Sequence, residues 1–403
     1  MRILIISTNV VKWGGSEDLW RNVALKSLEK GHEVMISVFM HNPLHDKILD
    51  LEKKGASIHK RPFPSYFTEQ RFSGRLLAEV KLRLRVDQTS LDWIKVKSFK
   101  PESVLISSGE TFDYIISKES FLIGYCLKYK IPYYLISQFN WEHDMDISMQ
   151  FRKSHQELTH KSSGHFFVSH RNYKNAEMHI SSTINNVRII NNPIKLNLKH
   201  SIPYPEGNVL KLAMVARYQT YIKGQDLLLQ ALSSKVFKNV PFQLSLYGSE
   251  GNEGPHIENL IHHYGLSDKV FLKGGTKDIE SVWRNNQLCV LTSRAEGTPL
   301  SLMEAMYCGR TALVTNAGDS ALWVGERGYI AECNTVESLT AALLKAFNDS
   351  QNWKSLGLEC RDVIDRNMDF KQDEQIVEVL VGERVISNAG KDPDVYLKKL
   401  KML

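Results

Sequence analysis

The stretch Arg294–Gly309, RAEGTPLSLMEAMYCG, sets Glu296 and Glu304 eight positions apart around a Gly-Thr-Pro turn. The run CVLTS (289–293) before it reads as a short buried strand, and PLSLMEAMYCG as a helix. SRAEG is then the loop at the carboxyl end of that strand. Thr298 reads as the N-cap, and Pro299 as the first helical residue, where a missing N–H costs nothing. The amides of Leu300 and Ser301 are left unpaired at the helix end, a ready anion site. Glu296 on the loop and Glu304 a little over one turn into the helix place a carboxylate on each side of that anion.

The same alternation extends on both sides. Downstream, TALVTN (311–316) is the last clear strand and SLTAALLKAFN a later helix. Upstream, LKLAMVA (210–216), FQLSLYG (242–248) and KVFLKG read as strands, with helical patterns at GQDLLLQALSS, IENLIHHYGL and DIESVWRNN. The first half repeats the plan. RILIIS is a strand, TNVVKWGGSE a loop, and DLWRNVALKSLEKG a helix closed at Gly31. Strands follow at HEVMISVF, SVLISS (103–108), PYYLISQF (132–139), HFFVS (165–169) and VRIINN (187–192). Such alternation means parallel sheets covered by helices on both faces.

These patterns predict an α/β chain of two Rossmann-like, doubly wound halves. Residues 1–195 form the first domain and 196–209, polar and proline-bearing, a linker. Residues 210–370 form the second, and 371–403 a helical tail that crosses back onto the first half. At 403 residues two cores are the natural expectation. Two such halves set a crevice between the carboxyl ends of both sheets, where ligands bind.

No apolar run approaches the length of a membrane span, and the N-terminus lacks a signal-peptide pattern, which predicts a cytoplasmic protein. Five scattered cysteines without a CxxC pair predict buried apolar residues, not a disulfide framework or zinc site. The formal charge of +6 is concentrated between Arg71 and Lys100, where eight Lys and Arg face Glu79, Asp87 and Asp92. That segment suits peripheral contact with an anionic membrane face or acceptor, or a solvated helix face. No motif for nucleic acid is present.

A nucleotide-sugar fits the opening stretch: a diphosphate in the middle, with a hydroxylated ribose and a hydroxylated sugar at its ends. Carboxylates bind vicinal hydroxyls through both oxygens. A diphosphate also needs cations, and ARYQTYIKGQD (216–226) follows a strand end with Arg217 and Lys223 flanking a loop. A forked guanidinium with a point ammonium suits a diphosphate leaving group.

With these residues in place the chain resembles the retaining glycosyltransferases of family 4, which have the two-domain GT-B architecture. The resemblance is strongest from Leu210 to Phe347. It rests on Glu296 and Glu304 within EGTPLSLMEAMYCG and on Arg217 with Lys223-Gly224; LYGSEG, VFLKG and TNVVKWGGSE agree with it. The resemblance implies that Glu296 contacts the transferred sugar and Glu304 the ribose, while Arg217 and Lys223 hold the diphosphate. Gly14 and Gly15 would close over it from the first domain, and the loop at Gly275 would border the base. The implied substrates are a UDP-sugar or, second, a GDP-sugar, and a glycan or lipid-linked acceptor of bacterial surface polysaccharide synthesis. No metal or other cofactor is implied.

One departure stands out. Members of the family place a histidine after a first-domain strand; here Asn140-Trp141-Glu142-His143 follows, so Asn140 takes that place or His143 reaches in from the loop. Trp13 and Trp141 read as packing residues before sugar platforms, and Lys12 and Glu17 as surface charges. Asp144-Met145-Asp146 matches a metal-diphosphate pattern, but Arg217 and Lys223 already answer that charge. A nicotinamide oxidoreductase is disfavoured because the first loop lacks GxGxxG. An epimerase of the same architecture and a non-catalytic scaffold stay open beside the transferase.

Overall fold

The computed structural model describes residues 1–9, 13–61, 94–108, 119–142, 149–249 and 253–386. His143, the Asp144–Asp146 pattern, Lys12 and most of the Arg71–Lys100 segment lie outside them. Two compact units emerge among the described residues: 1–192 with 369–386, and 193–368.

The first unit is built on β1 (Arg2–Ser7), β2 (Glu33–Phe39), β3 (Ser57–Arg61), β4 (Ser103–Ser108), β5 (Tyr133–Ser137), β6 (Gly164–Phe167) and β7 (Val187–Ile189). All seven pair in parallel in the order β3-β2-β1-β4-β5-β6-β7. The sheet of the second unit holds β8 (Leu210–Val215), β9 (Phe242–Tyr247), β10 (Val270–Gly274), β11 (Leu288–Leu291), β12 (Thr311–Thr315) and β13 (Tyr329–Ala331). It too is parallel, in the order β10-β9-β8-β11-β12-β13. Parallel strands need long crossovers, and the helices that supply them cover both faces. The central strands β4, β11 and β12 are accordingly buried along their whole length.

Helix Glu17–Glu29 shows how the layers close. Leu19, Trp20, Val23, Ala24 and Ser27 form its buried stripe, and left-handed Gly31 follows its last turn. Helix Gln372–Leu380 packs against it, contributing Ile376, Val377, Val379 and Leu380 to the same core. At about 1.5–3 kcal/mol per buried aliphatic side chain, that stripe is enough to hold the returning tail on the first unit.

Residues 196–209 carry no helix or strand, yet they are fastened to the second unit. Arg361 donates to the Leu198 carbonyl at 2.9 Å, Arg310 to Pro203 at 2.6 Å, and Gln287 to Pro205 at 3.0 Å. Arg310 is almost fully buried and also donates to the carbonyls of Trp283 and Asn286, a use of its forked donors that lysine could not copy.

Some elements escape the sequence reading. Thr311–Thr315 is not the final strand, because Tyr329–Ala331 adds an edge. Ser57–Arg61 forms the opposite kind of surprise, a polar-looking edge strand whose His59 is bonded by Ser37 at 2.9 Å. Helices Asp46–Lys53, Thr220–Lys223 and Trp353–Asn367 are further additions. Four cysteines are buried, but Cys333 is exposed.

Candidate functional site

In the second sheet the strand order reverses between β8 and β11: β9 and β10 extend to one side of that pair, β12 and β13 to the other. Loops leaving the carboxyl ends of neighbouring strands on either side of such a point diverge and leave room for a ligand. The loop after β8 carries Arg217 and Lys223, and the loop after β11 carries Glu296.

Glycine brings these two loops together. Gly224 has φ +68°, and a Cβ built there would stand 2.0 Å from the Thr292 carbonyl oxygen. Only glycine tolerates both the conformation and the approach. Thr292 Oγ1 donates to the Gly224 carbonyl at 2.9 Å. As a result Lys223 Nζ reaches Glu296 Oε1 at 2.7 Å, with side chains only 16% and 9% exposed. The same Oε1 accepts Ser293 Oγ at 2.5 Å. On its other side the Glu296 loop is backed by Gly318, whose Cβ would come within 2.8 Å of the Glu296 and Gly297 carbonyl oxygens.

The helix that follows starts one residue later than the sequence predicts. Pro299, at φ −75° and ψ 87°, is the N-cap, so Thr298 is not the cap and Pro299 is not the first helical residue. A cap contributes its carbonyl, and that of Pro299 accepts from Leu302 at 3.0 Å and Met303 at 3.1 Å. No backbone acceptor among the described residues takes the Leu300 or Ser301 amide, so the two expected donors are unchanged. Glu304 is buried in this helix, and Thr298 in the loop before it.

Arg217 is exposed, and its loop is anchored beneath it. Gln225 Nε2 donates to its carbonyl at 2.7 Å. Tyr218 Oη donates to Leu246 at 2.8 Å and accepts from the Gly274 amide at 3.1 Å, tying this loop to the ends of β9 and β10. Gly275 follows β10, where its Cβ would lie 3.7 Å from Ser249 Cα. The structure thus places Lys223 and Glu296 in direct contact. Arg217 lies on the same loop as Lys223, and Thr298 to Glu304 continue from the Glu296 loop.

The first unit has its own reversal, between β1 and β4. The loop after β1 carries Gly14 and Gly15, whose carbonyls accept the first helical amides, Glu17 at 3.2 Å and Asp18 at 3.4 Å. Glu17 is not a surface charge. It is buried and accepts from Ser7 at 2.7 Å, Trp20 Nε1 at 2.8 Å and Asn9 at 3.1 Å. Burial pushes its carboxyl pKa up, against those three bonds. Trp13 stacks on His45 with centroids 4.7 Å apart, and Trp141 meets Phe139 edge-on at 5.1 Å, so both do pack. Asn140, also buried, donates Nδ2 to the Asn172 carbonyl at 3.0 Å, and its Oδ1 lacks a hydrogen-bond partner among the described residues.

Ser293, Arg294, Asp226 and Gly318 were not singled out from the sequence. The signal for the first two was proximity, since they stand three and two residues before Glu296.

Residues 210–349 match the model of the family described as glycosyl transferases group 1. An uncharacterized glycosyltransferase of Haemophilus influenzae is 26% identical over 171 residues, 41% of this chain and 47% of that protein. The poly(ribitol-phosphate) alpha-N-acetylglucosaminyltransferase of Staphylococcus aureus is 27% identical over 145 residues, 35% of this chain and 29% of that protein. The matches thus span less than half the length of these two relatives. Among solved structures, Anabaena HepE in complex with UDP and glucose superposes with a TM-score of 0.68 at 17% identity, covering 95% of this chain and 100% of that one. The chain thus has the GT-B fold, and residues 210–349 of it are similar to the group 1 glycosyl transferases.

Proposed function

We propose that this protein is a retaining, metal-independent glycosyltransferase that moves a sugar from a UDP-sugar to a glycan or lipid-linked acceptor in surface polysaccharide synthesis. The observation that carries the reading is the Lys223–Glu296 contact at the reversal between β8 and β11, a cation and an acid gathered from two neighbouring strand ends. Lys223 and Arg217 bind the diphosphate, with the Leu300 and Ser301 amides beside them. Glu296 accepts hydrogen bonds from the transferred sugar, and Glu304 from the ribose. In the reaction the anomeric carbon–phosphate oxygen bond breaks and the acceptor oxygen bonds on the same face. The acceptor proton passes to the departing phosphate oxygen. Two cationic side chains neutralise the leaving group, so no divalent ion is assigned that task.

The Staphylococcus aureus relative, a poly(ribitol-phosphate) alpha-N-acetylglucosaminyltransferase, supports a polymeric, anionic class of acceptor. Among the described residues no helix is long and apolar enough to cross a membrane. Lys97 and Lys100, at the end of the basic segment, line an open depression of about 850 Å³ in the first unit with Lys128, Arg2 and Glu102, the last two paired at 3.7 Å. That cluster supports peripheral contact with an anionic membrane surface on the cytoplasmic side.

The deciding experiment is a panel of UDP- and GDP-sugars, read by thermal stabilisation, slow donor hydrolysis in the presence of chelator, and the anomeric configuration of the product. Stabilisation by a UDP-sugar, with retained configuration and chelator-resistant turnover, is expected. A chain that responds to no nucleotide-sugar would overturn the transferase reading.

A further inference from the structure

We infer that Arg294 is a positioning residue of this site: it straps the one-turn helix Thr220–Lys223 to the Glu296 loop and so sets where the Lys223 ammonium stands. The inference rests on the nucleotide-sugar reading above and adds a residue to it.

The need for a strap comes from the helix itself. Thr220–Lys223 is a single turn of four residues with none buried, and Tyr221 on it is 66% exposed. One turn does not hold itself in water, because nucleation fixes several dihedrals for one hydrogen bond. With no apolar face to dock, its place must come from polar contacts.

Arg294 supplies two of them, beside Glu253 at Thr220 and Thr292 Oγ1, which donates to the Lys223 carbonyl at 3.3 Å. The Arg294 backbone amide donates to the Ile222 carbonyl at 2.7 Å, and Nη1 donates to the Thr220 carbonyl at 2.7 Å. The guanidinium also grips Asp226 two-pronged, Nη1 to Oδ1 at 2.9 Å and Nη2 to Oδ2 at 2.8 Å. Asp226 lies in the first turn of the next helix, Gln225–Leu232. One side chain therefore holds the turn at its start and the helix just beyond it, while its own backbone stands two residues before Glu296. Glu253 completes the hold on Thr220, accepting from its amide and from Oγ1 at 2.8 Å.

The bland alternative is a surface ion pair. Arg294 and Asp226 side chains are 32% and 37% exposed, and pairs that open contribute little to global stability. This exposure is what makes the two readings separable. A mere surface pair leaves both fold and site untouched when removed, whereas a strap leaves the fold and loosens the site. Lysine cannot replace it, since the grip uses two parallel N–H donors and a third toward a carbonyl.

The test compares the intact chain with Arg294→Ala, Arg294→Lys and Asp226→Asn, measuring Tm, UDP affinity by calorimetry, and amide exchange over residues 219–225. The strap predicts near-unchanged Tm, exchange of that segment accelerated at least tenfold, and UDP affinity reduced about tenfold in Arg294→Ala. Arg294→Lys recovers only part of either loss, and Asp226→Asn shows a smaller loss of both kinds. On a Lys223→Ala background, Arg294→Ala lowers affinity no further, because it acts through Lys223. Wild-type exchange in a folded Arg294→Ala or Asp226→Asn chain overturns the inference, as does full additivity with Lys223→Ala. Wild-type protein that binds no UDP while the exchange result holds would instead sink the nucleotide-sugar reading and leave the strap standing.

Discussion

Replacing Glu296 by Gln is expected to tighten binding of free UDP while nearly abolishing transfer. The Lys223 ammonium is held 2.7 Å from a carboxylate that is only 9% exposed. At an effective dielectric of about 20, charges at that separation attract by about 6 kcal/mol. Most of this is not lost on ligand binding, because an ammonium has three donors and can serve carboxylate and phosphate together. What remains is the partial withdrawal of Lys223 and the repulsion between Glu296 and the incoming diphosphate, about 1–2 kcal/mol of the gross figure. Gln removes the charge, keeps the shape and still accepts from Ser293, so Kd for UDP should fall about 5- to 30-fold. Transfer should drop a hundredfold or more, since the acid that gathers the sugar hydroxyls loses its charge. Calorimetric titration of UDP, beside initial rates with the donor found active, measures both. Weaker UDP binding in a folded Glu296→Gln protein would refute the reasoning. It would mean that Glu296 holds Lys223 where the phosphate needs it, instead of competing for it.

Glu304→Ala should weaken free nucleotide binding about 10- to 100-fold by removing the ribose acceptor; unchanged UDP affinity would count against that role. Gly224→Ala places a methyl 2.0 Å from the Thr292 carbonyl at φ +68°, so the two site loops must part. A loss of about 2–4 kcal/mol in urea unfolding together with lost UDP binding is expected, and native stability would contradict the tight approach. Acid should destabilise the first unit. Burial drives the His155 pKa down to about 3, with His179 adding to it, and holds His165 well below its ordinary value. The unfolded chain, titrating near 6.5, therefore binds more protons from there down toward pH 3. The stability these rings contribute is fully present above pH 6.5 and declines as pH falls, by about 2 kcal/mol for His155 between pH 7 and 5. Urea midpoints that stay level over that range would show that these rings are protonated in the fold.

How much of this was legible follows from what each feature depends on. The alternation of strands and helices was readable because a strand covered on both faces must be apolar throughout, as in LCVL and TALVT. Edge strands obey no such rule. Ser57–Arg61 is covered on one side only by its neighbour β2, and its His and Arg find partners in Ser37 and the Ser7 carbonyl, so its polar letters hide a strand. Tyr329–Ala331 is too short to show any period. At the site, Glu296 and Lys223 stood out as charges just past strand ends and Glu304 as an acid in the helix that follows, local properties all. Their pairing was not legible, because Lys223 and Glu296 meet only once β8 lies beside β11. The same reason hid Glu17. An acidic residue in a first helical turn is satisfied by the helix dipole alone, so nothing in the letters demanded Ser7 and Asn9 across the loop or Trp20 one turn on. The cap, too, stands one residue later than the letters suggest. Thr298 is the better cap by its side chain, yet the helix begins at Leu300 behind a Pro299 cap whose carbonyl takes the Leu302 and Met303 amides. Letters report what a residue needs from its immediate neighbours. Where a carboxylate is answered by a distant loop, only the fold can say which loop that is.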